Sequence, residues 1–351
     1  MGLLGASGAI VGTVAGLGEF LGYGMRLISG KITDKTKIYW PITFMGYASN
    51  LIVVPLLALA HRWEIAALLI ILERVGKGIR TPARDAMLSY ATKEIGRGWG
   101  FGIHQAMDRL GALVGPLIVF CLLGSTNNLR ISFVVLGIPA VFALAALGFA
   151  KKVNPYPQAA EEQKVTFSAE GFSKAFWIFI AGAGFLAAGF VDFALIAFHF
   201  QKKAVLPPAW IPLFYTFAMG AAALFSLAGG KLFDFFSKPV VLTALVLGML
   251  SVPCVFMGGF STVLIGMILW GIGLGMQGSV LRSIVAHLAA PEKRSVAYGT
   301  FGVVFGLCWF IGSALTGWLY DHSIALMVAI SLFLQLCSIP FFLNLKMEKS
   351  S

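Results

Sequence analysis

The sequence predicts an all-α integral membrane protein made of two helical bundles, with about eleven spans arranged as five plus six. Three observations lead there. Of its 351 residues, 58% are hydrophobic and only 12% are charged, with a mean hydropathy of +0.87; a soluble domain is roughly half apolar and a quarter charged. Apolar runs of spanning length recur along the whole chain. The two halves of the chain also repeat one another.

A spanning helix needs roughly 20 mostly apolar residues. Runs that meet this lie near 5–29, 39–60, 64–88, 98–123, 131–150, 174–200, 208–229, 239–258, 262–288, 297–320 and 323–345. The first bundle is expected over 1–150 and the second over 174–345. Between them, residues 151–173 hold Pro155, Pro157 and three glutamates with little apolar content, which reads as a linker. Residues 346–351 form a short tail.

The connections alternate in character. One set comprises residues 30–37, 77–97, 151–164, 230–238, 291–294 and the tail. With the adjoining span ends, which carry Arg26, Arg74, Lys174 and Arg282, that side takes 21 of the 26 Lys and Arg, against four on the other side and Arg109 in mid-membrane. Such a bias places the rich side in the cytoplasm, with the C-terminus inside and the N-terminus outside. It also accounts for the net charge of +11 without invoking nucleic acid. The leading segment lacks the basic start of a cleavable signal, and its apolar run continues past Glu19 to Arg26. Cys121, Cys254, Cys308 and Cys337 all fall in apolar runs without CxxC spacing and read as small buried hydrophobes.

The repeat is specific. Gly30-Lys31-Ile32-Thr33-Asp34 returns as Gly230-Lys231-Leu232-Phe233-Asp234, an offset of 200. Gly76, Gly78, Arg97, Gly102 and Gly115 return as Gly273, Gly275, Arg294, Gly299 and Gly312, all at offset 197. Parallel repeats joined by a central loop describe a two-bundle transporter.

These residues resemble the major facilitator superfamily over essentially the whole chain. The segment from Gly30 to Lys35 looks like the family's loop between its second and third helices, whose Asp latches one conformation. The resemblance gives that latch to Gly30 and Asp34, with Gly230 and Asp234 as repeat partners. Lys37 stands where the family has a later Gly, and Phe235 where a basic residue is usual. Arg74-x-Gly76-x-Gly78 resembles the fourth-helix motif whose Arg is linked to proton coupling. Gly111-x-x-x-Gly115-Pro116 resembles the fifth-helix packing motif of antiporters, with Leu117-Ile118 in place of its trailing Gly pair. Family members have twelve spans, so the resemblance implies that the element missing here is the first helix.

The stretch from Glu73 to Pro116 concentrates charge inside apolar surroundings. A charge deep in lipid costs several kcal/mol unless it faces protein or water. Lys77, Arg80 and Arg84 are expected to snorkel toward the cytoplasmic face. Glu19 lies about ten residues before the first cytoplasmic loop, roughly 15 Å along a helix and so near mid-membrane. Asp108 is similarly deep, and Asp192 is set in the sixth span. Buried carboxylates in a transporter carry protons or bind substrate, while an internal ion pair of Asp108 or Glu19 with Arg109 is the structural alternative. His104 shares a helical face with Asp108. Trp177, Trp270 and Trp309 read as packing or interfacial anchors rather than a substrate platform.

Enzyme motifs fail on context. Gly273-x-Gly275-x-x-Gly278 lies inside an apolar run with no preceding strand, and Gly76-Lys77 lacks the earlier Gly of a phosphate loop. No cofactor is implied. The expectation is a monomeric secondary transporter of a small solute in the inner membrane, working by alternating access and proton antiport. Its pathway is expected to use Glu19, Arg74, Asp108, Arg109 and Asp192. Proton symport is the alternative transport mode, and a non-transporting sensor or scaffold the alternative class.

Overall fold

A computed structural model describes residues 1–91, 97–155, 172–289 and 294–345. The described residues form helices and no strands. In order these are α1 (Gly8–Thr36), α2 (Tyr39–Leu56), α3 (Trp63–Ala91), α4 (Arg97–Thr126), α5 (Leu129–Val135), α6 (Gly137–Val153), α7 (Lys174–Gly189), α8 (Phe193–Lys202), α9 (Trp210–Phe235), α10 (Ser237–Met257), α11 (Phe260–Leu288), α12 (Arg294–His322) and α13 (Ile324–Leu343). Lipid offers no hydrogen bonds, so a spanning backbone must satisfy its own polar groups, and an α-helix does so. Among the described residues nine spans are long and apolar enough to cross a membrane; α5 with α6 and α7 with α8 each count as one. The 29-residue helices α1 and α3 are also long enough and carry the charges of the first bundle. These two with the nine match the eleven expected runs. Side chains such as Leu227, 73% exposed, form the outer faces that lipid would cover.

Two boundaries differ from expectation. Residues 30–36, expected as a loop, are the last turns of α1. Nothing there breaks a helix, and Thr33 and Thr36 bond their hydroxyls back to the carbonyls of Ser29 and Ile32 at 2.8 and 2.7 Å. The helix ends where Lys37 adopts a positive φ of 58°. The repeat segment behaves the same way, running inside α9 up to Phe235.

The chain divides into two compact units. One holds the described residues of Met1, Leu3–Ala6 and Leu17–Lys164; the other holds Gly2, Ser7–Gly16 and those of Val165–Ser351. The linker expected at 151–173 begins inside α6, and most of it, with the tail 346–351, lies outside the described residues. The grouping of Ser7–Gly16 with the second unit is not legible in the sequence. Its reason is a run of small residues: a Cβ at Gly16 would stand 2.8 Å from Cβ of Ser313, and one at Gly8 3.1 Å from the carbonyl oxygen of Gly317.

Within the first unit α3 packs on both α1 and α2. A Cβ at Gly76 would stand 3.0 Å from the carbonyl oxygen of Gly46 on α2, and one at Gly78 2.5 Å from that of Gly22 on α1. The second unit repeats the scheme. A Cβ at Gly273 of α11 would stand 3.3 Å from Cα of Gly248 on α10, and one at Gly275 2.7 Å from the carbonyl oxygen of Ala222 on α9. The glycines at offset 197 therefore mark the same close helix crossings twice.

One pair in that series behaves differently. A Cβ added at Gly312 would overlap the backbone of Ala188 on α7, whereas Gly111 and Gly115 of α4 have nothing within 4 Å. Around Gly111 and Gly115, therefore, no close crossing is seen among the described residues. Cys121, expected to be buried, is exposed on this same open helix.

Candidate functional site

Each unit holds its own polar site. In the first, the glycines of the Arg-Gly motif bring α3 close enough to α1 for Arg74 to lie on Gly18, with Cγ 3.1 Å from where a Cβ would be. The guanidinium then reaches Glu19 Oε1 at 3.1 Å and Glu73 Oε2 at 3.2 Å. Glu73 also accepts from Asn50 Nδ2 of α2 at 2.7 Å. Three helices thus meet in one network, its charged side chains each partly accessible. Lys77, one turn on, lies within electrostatic reach of Glu19, Glu73 and Asp108.

Further along α3, the expected snorkelling is corrected for Arg80. It is only 9% exposed, with its guanidinium 4.1 Å over the ring of Tyr47. Arg84 pairs with Asp85 through Nε and Nη2 at 2.9 and 2.7 Å. Asp108 is exposed and Arg109 half-buried. The partner of Glu19 is Arg74, not Arg109, and no pair between Asp108 and Arg109 forms among the described residues. Neighbouring residues on a helix project about 100° apart, which separates these two. His104 lies within electrostatic reach of both Asp108 and Arg84. Of the latch residues, Gly30 faces α3, where a Cβ on it would stand 3.7 Å from Pro82, while the surroundings of Asp34, Gly230 and Asp234 lie outside the described residues.

In the second unit the site is a broken helix. α7 stops at Gly189, Phe190 and Asp192 are extended, and α8 starts at Phe193. A break in an apolar span strands backbone carbonyls, and each must find a donor. Gly189 O accepts from Ser331 Oγ at 2.5 Å and Gln335 Nε2 at 3.0 Å. Val191 O accepts from Trp270 Nε1 at 2.8 Å. The Asp192 carboxylate accepts from Trp309 Nε1 at 2.9 Å and from the Ser313 hydroxyl. As N-cap of α8, Asp192 also has its negative charge favoured by the helix dipole, although its side chain does not bond its own helix. Sequence reasoning missed the indoles as donors. The available signal was a residue with a polar N–H in a fully apolar run, which must find an acceptor when buried.

At one end of this unit Asp321 accepts from the backbone N–H groups of Gly8 and Ala9 at 3.0 and 2.8 Å, capping α1 from another helix. Lys202 pairs with it at 3.4 Å. The start of α1 and the ends of α8 and α12 therefore share one side of the unit, as the alternation of charge requires. Nearby, His199 Nδ1 and the Tyr320 hydroxyl share a buried hydrogen bond of 3.1 Å.

A multi-pass helical membrane protein with a repeated bundle and polar groups in mid-span belongs to the class of membrane transporters. The family is shown directly. The family model of the Major Facilitator Superfamily matches residues 1–313 and 208–349, and the chain belongs to that superfamily. It is 36% identical to uncharacterized protein Rv2265 of Mycobacterium tuberculosis over 353 residues, covering 99% of this chain and 86% of the relative. It is 29% identical to the uncharacterized MFS-type transporter MJ1317 of Methanocaldococcus jannaschii, covering 91% and 82%. Among solved structures it is similar to a mutant form of the nucleoside transporter NupG, with a TM-score of 0.78 at 15% identity over 97% of this chain and 92% of that one. A bacterial homologue of the lysosomal transporter Spinster, inward-facing and occupied, gives 0.72 at 14% identity over 97% and 90%. The protein is a transporter of small solutes and not an enzyme.

Proposed function

We propose that the protein is a proton-coupled efflux antiporter of the cytoplasmic membrane that works by alternating access as a monomer, with its C-terminus in the cytoplasm. The observation that carries this reading is the sharing of Arg74 between Glu19 of α1 and Glu73 of α3. Protonating Glu19 removes the charge pair that ties α1 to α3. Arg74 is not left as an uncompensated cation, because Glu73 retains it. One proton therefore switches a helix–helix tie without leaving a bare charge, which would be costly in a span. Asp108 and Arg109 extend the polar route along α4, and Asp192 supplies the acidic group of the second unit. The fifth-helix motif favours antiport over symport, and the concentration of Lys and Arg sets the orientation.

Currents on a solid-supported membrane, recorded with a panel of solutes under an imposed proton gradient, test the proposal. Arg74→Ala and Asp108→Asn are expected to abolish proton-driven flux while leaving the protein folded. Unchanged flux in both would remove the coupling assignment. Solute and protons moving in the same direction would replace antiport by symport.

A further inference from the structure

Arg80 is a buried cation of the first unit that the proton network leaves aside. Gly46 lets α2 approach it closely: a Cβ there would stand 2.6 Å from Cβ of Arg80. The guanidinium lies 4.1 Å over the ring of Tyr47 on α2, and the residue is only 9% exposed. Its Nε is enclosed and has no hydrogen-bond partner. A flat guanidinium stacked on a ring holds its N–H donors in its own plane, directed past the ring edge. Tyr47 is steadied in turn by Arg84, which lies within hydrogen-bonding reach of its side chain. One turn before Tyr47, and so on the same face of α2, Thr43 is fully buried, and its hydroxyl also has no partner. Thr33, Thr36 and Thr81 each donate their hydroxyl to the carbonyl four residues earlier, at 2.8, 2.7 and 2.6 Å. Thr43 does not.

We propose that Arg80 and Thr43 form a binding site for a phosphate-type oxyanion, carried either by a free phosphorylated solute or by a phospholipid headgroup. From Glu73 to Asp85 along α3, Arg74 and Lys77 balance Glu73 and the facing Glu19, Arg84 balances Asp85, and Arg80 is the cation left over among the described residues. A cation this deep is costly to leave uncompensated, and an unpaired buried donor adds to the cost. An anion removes both. The guanidinium fork fits two oxygens of a phosphate at once, and the threonine hydroxyl can donate to a third. On the orientation proposed above, this end of α3 faces the cytoplasm, where basic pockets between spanning helices bind phosphate headgroups. The site does not depend on proton coupling, since neither Arg80 nor Thr43 belongs to the network of Glu19, Arg74 and Glu73.

The test follows the melting temperature of the purified full chain in a neutral detergent as ligand is added, because a ligand that binds the folded state raises it. One arm uses glycerol 3-phosphate, with glycerol as blank, at constant ionic strength. The other uses dioleoylphosphatidylglycerol in the micelles, with dioleoylglycerol as blank. Saturable stabilisation is expected in at least one arm, with none from its blank, and the arm that responds identifies the source. Arg80→Gln should weaken the affinity at least about tenfold, the scale of charge-assisted hydrogen bonds. Arg80→Lys, which keeps the charge but not the fork, should recover only part of it. Thr43→Val should weaken it about threefold or more, and Lys238→Gln, in the second unit, should match the wild type. Should Arg80→Gln fail to fold, Thr43→Val decides alone, and an unchanged affinity there overturns the proposal. An affinity in folded Arg80→Gln equal to the wild type overturns it, as does an equal weakening by Lys238→Gln, which would mean general charge attraction. Absence of stabilisation in both arms also overturns it. The transport reading fails separately, by the absence of current for every solute in the panel.

Discussion

Arg74 of α3 and Gly271 of α11 occupy the same place in the two repeats, 197 residues apart. The first lies against Gly18 of α1, and a Cβ on the second would overlap the carbonyl oxygen of Ala218 on α9, the residue 200 beyond Gly18. At the flanking positions, Glu73 corresponds to Trp270 and Glu19 to Met219. One scaffold thus holds a charged network in the first unit and an aromatic, apolar wall in the second. The second unit takes its carboxylate instead from the broken span, at Asp192. Close helix crossings were preserved between the halves while the chemistry at each crossing diverged. On the function proposed above, the first site is the one that exchanges a proton between paired charges.

The largest expected effect breaks the scaffold itself. Gly312→Leu should prevent folding, because even a Cβ would overlap the backbone of Ala188 and the loss should exceed the ~1–3 kcal/mol usual for overpacking. Gly115→Leu, at the corresponding place in α4, meets nothing within 4 Å and should shift stability by no more than about 0.5 kcal/mol. Size-exclusion profiles and melting curves of the two variants compare them directly. If both fold equally well, the packing contrast between the halves is wrong.

Next in size is Arg74→Gly, which copies the second repeat into the first. Since Arg74 lies on the glycine surface of α1, its removal leaves the helix crossing in place. The variant should fold and insert normally yet lose proton-driven flux; loss of folding instead would make Arg74 a structural residue. A smaller effect is expected for Trp309→Phe. It removes one donor to a carboxylate, worth about 1.5–3 kcal/mol, and thermal unfolding in the same detergent should show the loss. A stability equal to wild type would mean that the indole does not anchor Asp192.

The fold is largely legible in the sequence because lipid imposes a simple rule of length and apolarity, and because a 197-residue offset repeats Gly76 and Gly78 as Gly273 and Gly275, at close crossings in both units. The sites are legible in part. Glu19, Arg74 and Asp192 stand out as charges in apolar runs, but the partner of Glu19 does not: Arg74 is far from it in the chain, and only the glycines of α1 and α3 bring them together. Charge and position alone make Arg80 a snorkelling residue, whereas its burial depends on Tyr47 from another helix. Trp270 and Trp309 are hidden among many apolar aromatics, since the carbonyls they satisfy are exposed only by a break at 190–192 that hydropathy does not register.

The most direct test of the shared-arginine coupling is the pH dependence of flux in Glu19→Gln, for any solute that gives a current in the wild type. Glutamine keeps the size and can still hydrogen-bond Arg74, but it cannot exchange a proton. Solute exchange is predicted to persist while its response to an imposed proton gradient disappears. A response as large as that of the wild type would contradict the coupling, and would move it away from the shared arginine of the first unit.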